Sequence, residues 1–166
     1  MNEGRPPMLD KDKARRSFGR AAASYDATAV LQHEIGRRML ARLDYMRIRP
    51  VRILDIGCGT GVATGQLLRR YPKADVVALD FALPMLRRAG RRGRWLRRPR
   101  CLCADLDFLP LASQSMDLVF ANASLQWSAS PAETFVDIAR ILRPGGLFLF
   151  SSCLLYTSDA ADDLLQ

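Results

Sequence analysis

The chain holds a single histidine, His33, and it lies far in sequence from any cysteine. The four cysteines, at 58, 101, 103 and 153, lack the two-residue gap of zinc or thioredoxin-type sites. Alternation along a strand places Cys101 and Cys103 on one face. The expectation is reduced, structural thiols and no metal. Long apolar runs are also missing. None approaches the roughly 20 residues that span a bilayer. The N-terminal "MNEGRPPMLDKDKARRSF" has no apolar core of the signal-peptide kind. The expected location is therefore the cytoplasm, away from membranes. No G-K-[ST] occurs, which excludes a P-loop for phosphates. There is no internal repeat and no low-complexity linker.

What is present fits one domain. The 166 residues are 49% hydrophobic, enough for a substantial core. The net charge is +8, and arginine is concentrated at 87, 88, 91, 92, 94, 97, 98 and 100. Two readings stand: a solvated face, or a docking patch for an acidic partner, either nucleic acid or protein.

Residues 11–23 read as a short helix with Phe18 and the alanines inward. "SYD" at 24–26 breaks it. Asp26 can cap a second helix over 27–46, with Val30, Leu31, Ile35, Met39, Leu40 and Leu43 at helical spacing. From Val51 the pattern becomes strand, helix, strand. Strands are expected at 51–56, 74–80, 100–105, 116–122 and 145–152. Helices are expected at 62–71, 82–92 and 131–142. This alternation predicts an α/β fold, with a parallel sheet covered by helices on both faces.

The run "ILDIGCGTG" (53–61) ends the first of these strands. Glycine there permits positive φ and close approach of backbone to ligand. Its Gly57-x-Gly59-x-Gly61 spacing is not the G-x-G-x-x-G of dinucleotide folds. Asp55, two residues before Gly57, would repel a pyrophosphate, so a ligand without phosphates fits better. Asp55 can instead organise the loop and face an ammonium group, directly or through water. Asp80 closes the second strand, where a carboxylate can accept both hydroxyls of a ribose. Asp105 follows the third strand, where a carboxylate can accept an exocyclic amine beside the Leu106 amide. Three acids thus lie at three consecutive strand ends on one edge of the sheet.

"ILDIGCGTG", "VVALD", "CADLDFLPL", "MDLVFAN" and "ILRPGGLFLF" occur in the order of the class I S-adenosylmethionine-dependent methyltransferase motifs. The chain resembles that family across residues 51–150. The resemblance implies a Rossmann-like sheet and S-adenosylmethionine as cofactor. It implies that Gly57, Gly59 and Gly61 shape the methionine side, with Asp55, Cys58 and Phe81 among the contacts. It places Asp80 at the ribose, Asp105 and Leu106 at the adenine, and Asn122 near the sulfonium. The segments "RRSFGRAAASYDATAVLQHEIGRRMLARL" (15–43) and "NASLQW" (122–127) are similar to the biotin-pathway malonyl-acyl-carrier-protein O-methyltransferases. That narrower likeness implies methyl transfer to the free carboxylate of a malonyl thioester, on acyl carrier protein or coenzyme A.

Such a carboxylate is already ionised near neutral pH, so the reaction needs no general base, and none is evident. Tyr25 is a candidate to orient the carboxylate or cover the cofactor, and otherwise packs at a helix start. Gln126 and Trp127 are candidates for the acceptor side, with core packing the alternative for Trp127. The arginines, represented by Arg87, Arg88, Arg91, Arg92 and Arg94, gain a natural partner in the acidic carrier protein.

Residues 1–50 read as a helical cover and 51–152 as the cofactor-binding core. The class I fold needs seven strands, and five are visible. From Cys153 the tail "CLLYTSDAADDLLQ" departs from the family pattern, with three aspartates and no lysine or arginine. Two readings stand: a native helix capped at Ser158 or Asp159, or a non-native end on a shortened chain, which leaves the fifth strand as an apolar edge. Other readings remain: a ubiquinone-precursor or aconitate methyltransferase, or a cofactor-binding module without chemistry. Nucleic-acid modification is disfavoured, because "NASLQW" stands where base methylases carry N-P-P-[YFW].

Overall fold

The five apolar runs pair as five parallel strands. They are β1 (Arg52–Ile56), β2 (Asp75–Asp80), β3 (Arg100–Cys103), β4 (Met116–Asn122) and β5 (Leu142–Ser151). The structure is a computed structural model and describes residues 10–152. The strand order is β3-β2-β1-β4-β5. The chain steps outward from β1 to β3, then crosses back to β4. That reversal opens a crevice at the carboxyl ends of β1 and β4, where ligands bind in open α/β sheets.

Side chains alternate along each strand, so both faces of the sheet need cover. Ile53, Val76, Leu118 and Phe120 pack against Met39, Leu40, Leu67 and Leu68. These last come from α3 (Val30–Arg42) and α4 (Val62–Arg70). Leu54, Ile56, Leu79 and Val119 point the other way, onto Ile138 and Ile141 of α6 (Pro131–Ile141). Burial on both faces explains why the strands are continuously apolar. Each fully buried leucine or isoleucine here contributes about 1.5–3 kcal/mol. The first four strands lie within two residues of their expected limits. β5 starts earlier, at Leu142, across a register shift between Met116 and Leu118.

The N-terminal helices depart from expectation. α1 (Lys11–Ala21) forms as read, but the next helix is split. α2 (Tyr25–Thr28) precedes α3, and a 3-10 turn at Leu43–Tyr45 follows it. Asp26 is no cap: its carboxylate accepts from Thr60 and Arg92. Tied there to the glycine loop, the chain breaks before Val30. The apolar stripe therefore meets the sheet only from Ile35 onward. Val30 and Leu31, expected inward, are about two-thirds exposed, at 69% and 67%.

α5 (Leu83–Ala89) joins α1 through Met85, Ala22 and Phe18. α4 approaches α5 at Gly61, the residue just before α4, which holds φ 79°. A Cβ on Gly61 would stand 2.7 Å from the Ala89 Cα. β5 is the edge of the described sheet, where Phe148 and Phe150 stack at 4.8 Å beside Phe135. Residues 153–166, the atypical tail, lie outside the described residues. No described helix is long and apolar enough to cross a membrane.

Gly61→Ala combines left-handed backbone strain with a steric clash and should cost roughly 2–4 kcal/mol. Chemical denaturation of the variant should show that loss; an unchanged midpoint would contradict the close approach.

Candidate active site

A cleft opens over the carboxyl ends of β1, β2, β3 and β4, enclosing about 670 Å³ with its open mouth included. Its floor is the glycine loop. Gly57 has φ 64°, and a Cβ there would lie 2.4 Å from the Ser124 Cβ. Ser124 sits just after β4 and donates from Oγ to the Ile56 carbonyl at 2.9 Å. Only glycine allows the loop to press so closely against the end of β4. The intervening Ala123 also lines the cleft and holds φ 50°, uncommon for a residue with a side chain. The roof comes from Lys11, Ala14 and Phe18 of α1 and Tyr25 of α2. The Phe18 ring meets Trp127 edge-on at 5.1 Å and Phe81 at 6.1 Å.

The acids are fixed by different partners. Asp80 accepts from the Gly59 amide at 2.9 Å and, through its other oxygen, from the Ala82 amide at 2.8 Å. Burial raises its pKa, and the amide donors only partly offset that. With a further amide donor from Phe81, one lone-pair position remains for a ligand hydroxyl. Asp55 lies beneath the loop, fully buried, and accepts from the Thr64 hydroxyl at 2.6 Å. Burial, helped by the charge of Asp80 and opposed by Thr64, pushes it up to about 7. A smaller cavity shares Tyr25, Gly57, Gly59 and Asn122 with the main cleft and reaches Asp55 and Cys58. Burial raises the Cys58 thiol well above its ordinary range, so it stays protonated.

Asp105 holds an unexpected partner. Lys11 Nζ bonds its two oxygens at 2.7 and 2.8 Å and also bonds Asp107. Asp107 further accepts from Ser128, Thr134 and the Ala129 amide. Burial opposes its charge, but these donors prevail and hold it at about 2. Lys11 stands 94 residues from Asp105 and carries no sequence signal for this role. Asp107, Phe18 and Ser124 were also unmarked: their parts in the site arise only when distant elements meet.

Leu106, Phe81, Asn122 and Trp127 line the cleft. Asn122 donates to the Gln32 carbonyl at 2.8 Å and accepts from Ser151 at 2.9 Å. Tyr25 lies over Gly59, with 3.8 Å between its Cε1 and a Cβ built there. Burial and the charges of Asp80 and Asp26 raise its pKa, so its hydroxyl keeps its proton. Three expectations change. Gly61 packs against α5 instead of lining the cleft. Gln126 is not in the cleft wall, and its shielded Oε1 has no partner among the described residues. Arg92 is held inward, donating to the Thr60 carbonyl at 2.9 Å and to Asp26 at 2.7 Å. No cluster of metal-ligating side chains occurs among the described residues.

A family profile described as a methyltransferase domain matches residues 54–150, more than half of the sequence. The chain belongs to the methyltransferase domain family. Among similar proteins, the malonyl-[acyl-carrier protein] O-methyltransferase of Halorhodospira halophila is 47% identical over 152 residues, covering 92% of this chain and 52% of its own. That of Xylella fastidiosa is 44% identical over 160 residues, covering 96% and 53%. This methyltransferase domain chain thus spans about half the length of the curated relatives it matches. Among solved structures, a chain in the complex between the Haloferax volcanii Trm112 methyltransferase activator and a methyltransferase aligns with a TM-score of 0.74. It is 27% identical, covering 83% of this chain and 59% of that one. An S-adenosylmethionine dependent methyltransferase from Mesorhizobium loti aligns with a TM-score of 0.58. It is 32% identical, covering 68% and 52%.

Asp55 gives a pH test. The folded protein keeps a proton that the unfolded chain releases near pH 4, so stability should fall as pH rises from about 4 through about 7. Asp55→Asn keeps an acceptor for Thr64 and removes the titration. Melting temperatures from pH 4.5 to 8 should decline less steeply in the variant; parallel curves would contradict the buried-acid assignment.

Proposed function

We propose that the chain forms the S-adenosylmethionine site of an O-methyltransferase that esterifies the free carboxylate of malonyl-acyl-carrier protein. The observation that carries this reading is the likeness to the malonyl-[acyl-carrier protein] O-methyltransferases. It runs through the N-terminal helices as well as the sheet. On this reading the activity feeds a pimeloyl precursor of biotin.

The donor set of the cleft fits the cofactor. Asp80 has acceptor capacity left for a ribose hydroxyl. Asp105 already holds an N–H donor in Lys11, the kind of group an adenine amine presents. Lys11 can keep Asp107 while Asp105 turns to the base. Beside Gly57 and Gly59, Asp55 supplies negative charge toward an ammonium group once it gives up its proton, which a bound cation favours. S-adenosylmethionine supplies the electrophilic methyl group on its sulfonium.

The chain's own residues do the positioning. The malonyl carboxylate arrives ionised, so no side chain has to remove a proton. Tyr25, held protonated, can donate to one carboxylate oxygen and aim the other. Phe18, Trp127 and Tyr25 exclude water, which strengthens the attraction between carboxylate and sulfonium. Rate then comes mainly from alignment of oxygen, methyl and departing sulfur.

Incubation with methyl-labelled S-adenosylmethionine and malonyl carrier protein, malonyl coenzyme A or RNA tests the reaction. The expected product is a base-labile ester formed only from malonyl thioesters; label in RNA, or none at all, would reject the reading. Tyr25→Phe should lower kcat/KM for the thioester by roughly 10- to 100-fold, the value of a hydrogen bond to a charged group. Steady-state kinetics should show no comparable change in cofactor affinity.

A further inference from the structure

The arginine run is one block in sequence, but the fold separates it into three groups. Arg92 is half-buried and turned toward the site, clamping the glycine loop to Asp26. Arg97 donates to the Tyr71 carbonyl, and Arg100 pairs with Asp75 at 3.0 Å. These two, with exposed Arg94 and Arg98, stand where the parallel strands begin. The cleft lies where the strands end. A five-residue strand spans roughly 17 Å, so this group faces the wrong edge for the reaction.

The third group is Arg87, Arg88 and Arg91, and it gains a member from outside the run. These side chains line a groove between α1 and α5 together with Arg20. The floor is made of small residues, Gly19, Ala22, Ala23 and Pro84. All four arginines are exposed, and among the described residues none pairs with a carboxylate. Four like charges around a shallow floor repel one another and favour an anionic occupant. Guanidinium groups present planar forks that match carboxylates.

We infer that this groove, walled by Arg20, Arg87, Arg88 and Arg91, is where the acidic carrier protein docks. The inference rests on the malonyl-carrier reading and adds the surface that recognises the carrier. The groove complements an acidic protein in charge, as it would any anion; its place in the fold is what favours a carrier. The groove shares α1 with the cleft: Gly19 and Arg20 border the groove, while Lys11, Ala14 and Phe18 roof the cleft. A carrier seated there rests against the helix that covers the cofactor, and its tethered thioester starts beside the cleft mouth.

The test compares two charge reversals. In R20E/R88E/R91E, the KM for malonyl carrier protein should rise at least about tenfold, as expected when steering charges are reversed. kcat and the KM for malonyl coenzyme A should hold. R94E/R98E, on the opposite edge, should leave every constant unchanged. Equal effects of both variants, or none from the groove variant, would overturn the docking site. Loss of RNA binding with carrier kinetics intact would overturn it in favour of nucleic acid. If neither thioester is methylated by the parent protein, the reaction reading fails by itself. Anisotropy of labelled carrier protein then decides docking: weaker binding to R20E/R88E/R91E alone supports it, and equal binding to all three proteins overturns it.

Discussion

The site depends on one buried carboxylate. Asp80 ends β2, and its two oxygens accept the amides of Gly59 and Ala82. The first bond fixes the glycine loop after β1; the second fixes the turn into α5. An uncompensated carboxylate this deep would cost several kcal/mol, so these donors, with another from Phe81, are what make the burial tolerable. Once the loop is held, Gly57 meets Ser124 and Gly61 meets Ala89. The ends of β1, β2 and β4 and the start of α4 and α5 are thus registered against one another.

The roof is held differently. No residue of α1 is fully buried, so little apolar burial secures it. Its ties to the body are largely polar: Lys11 to Asp105 and Asp107 at one end, and Asp26 of α2 to Thr60 and Arg92 at the other. Phe18 adds an aromatic contact in the middle. A cover secured by partly buried ion pairs, with little apolar burial, opens at lower cost than a packed core. This suits an enclosed cleft whose ligands must enter and leave.

The sheet was legible because its signals are local. Each strand is a short apolar run between turn residues, and the strand-helix alternation sets the parallel topology. Asp55, Gly57, Asp80 and Asp105 could be placed for the same reason: each lies at or within two residues of a strand end, so position in sequence gives position on the edge. The N-terminal helices were less so. The split before Val30 follows from Asp26 bonding Thr60, a contact across 34 residues that periodicity does not contain. Lys11 on Asp105 is a longer-range case. The arginine run erred in the opposite sense. Neighbours in sequence were read as one surface, while the turn into β3 sends Arg92 inward and Arg94 to the far edge.

All of this converges on the cleft as a site for a nucleoside bearing an amino-acid chain and no phosphate. Calorimetric titration with S-adenosylhomocysteine, with a dinucleotide such as NAD as the comparison, measures that most directly. The account predicts one-to-one binding of S-adenosylhomocysteine and no heat from the dinucleotide. Binding of the dinucleotide alone, or of neither, would contradict it.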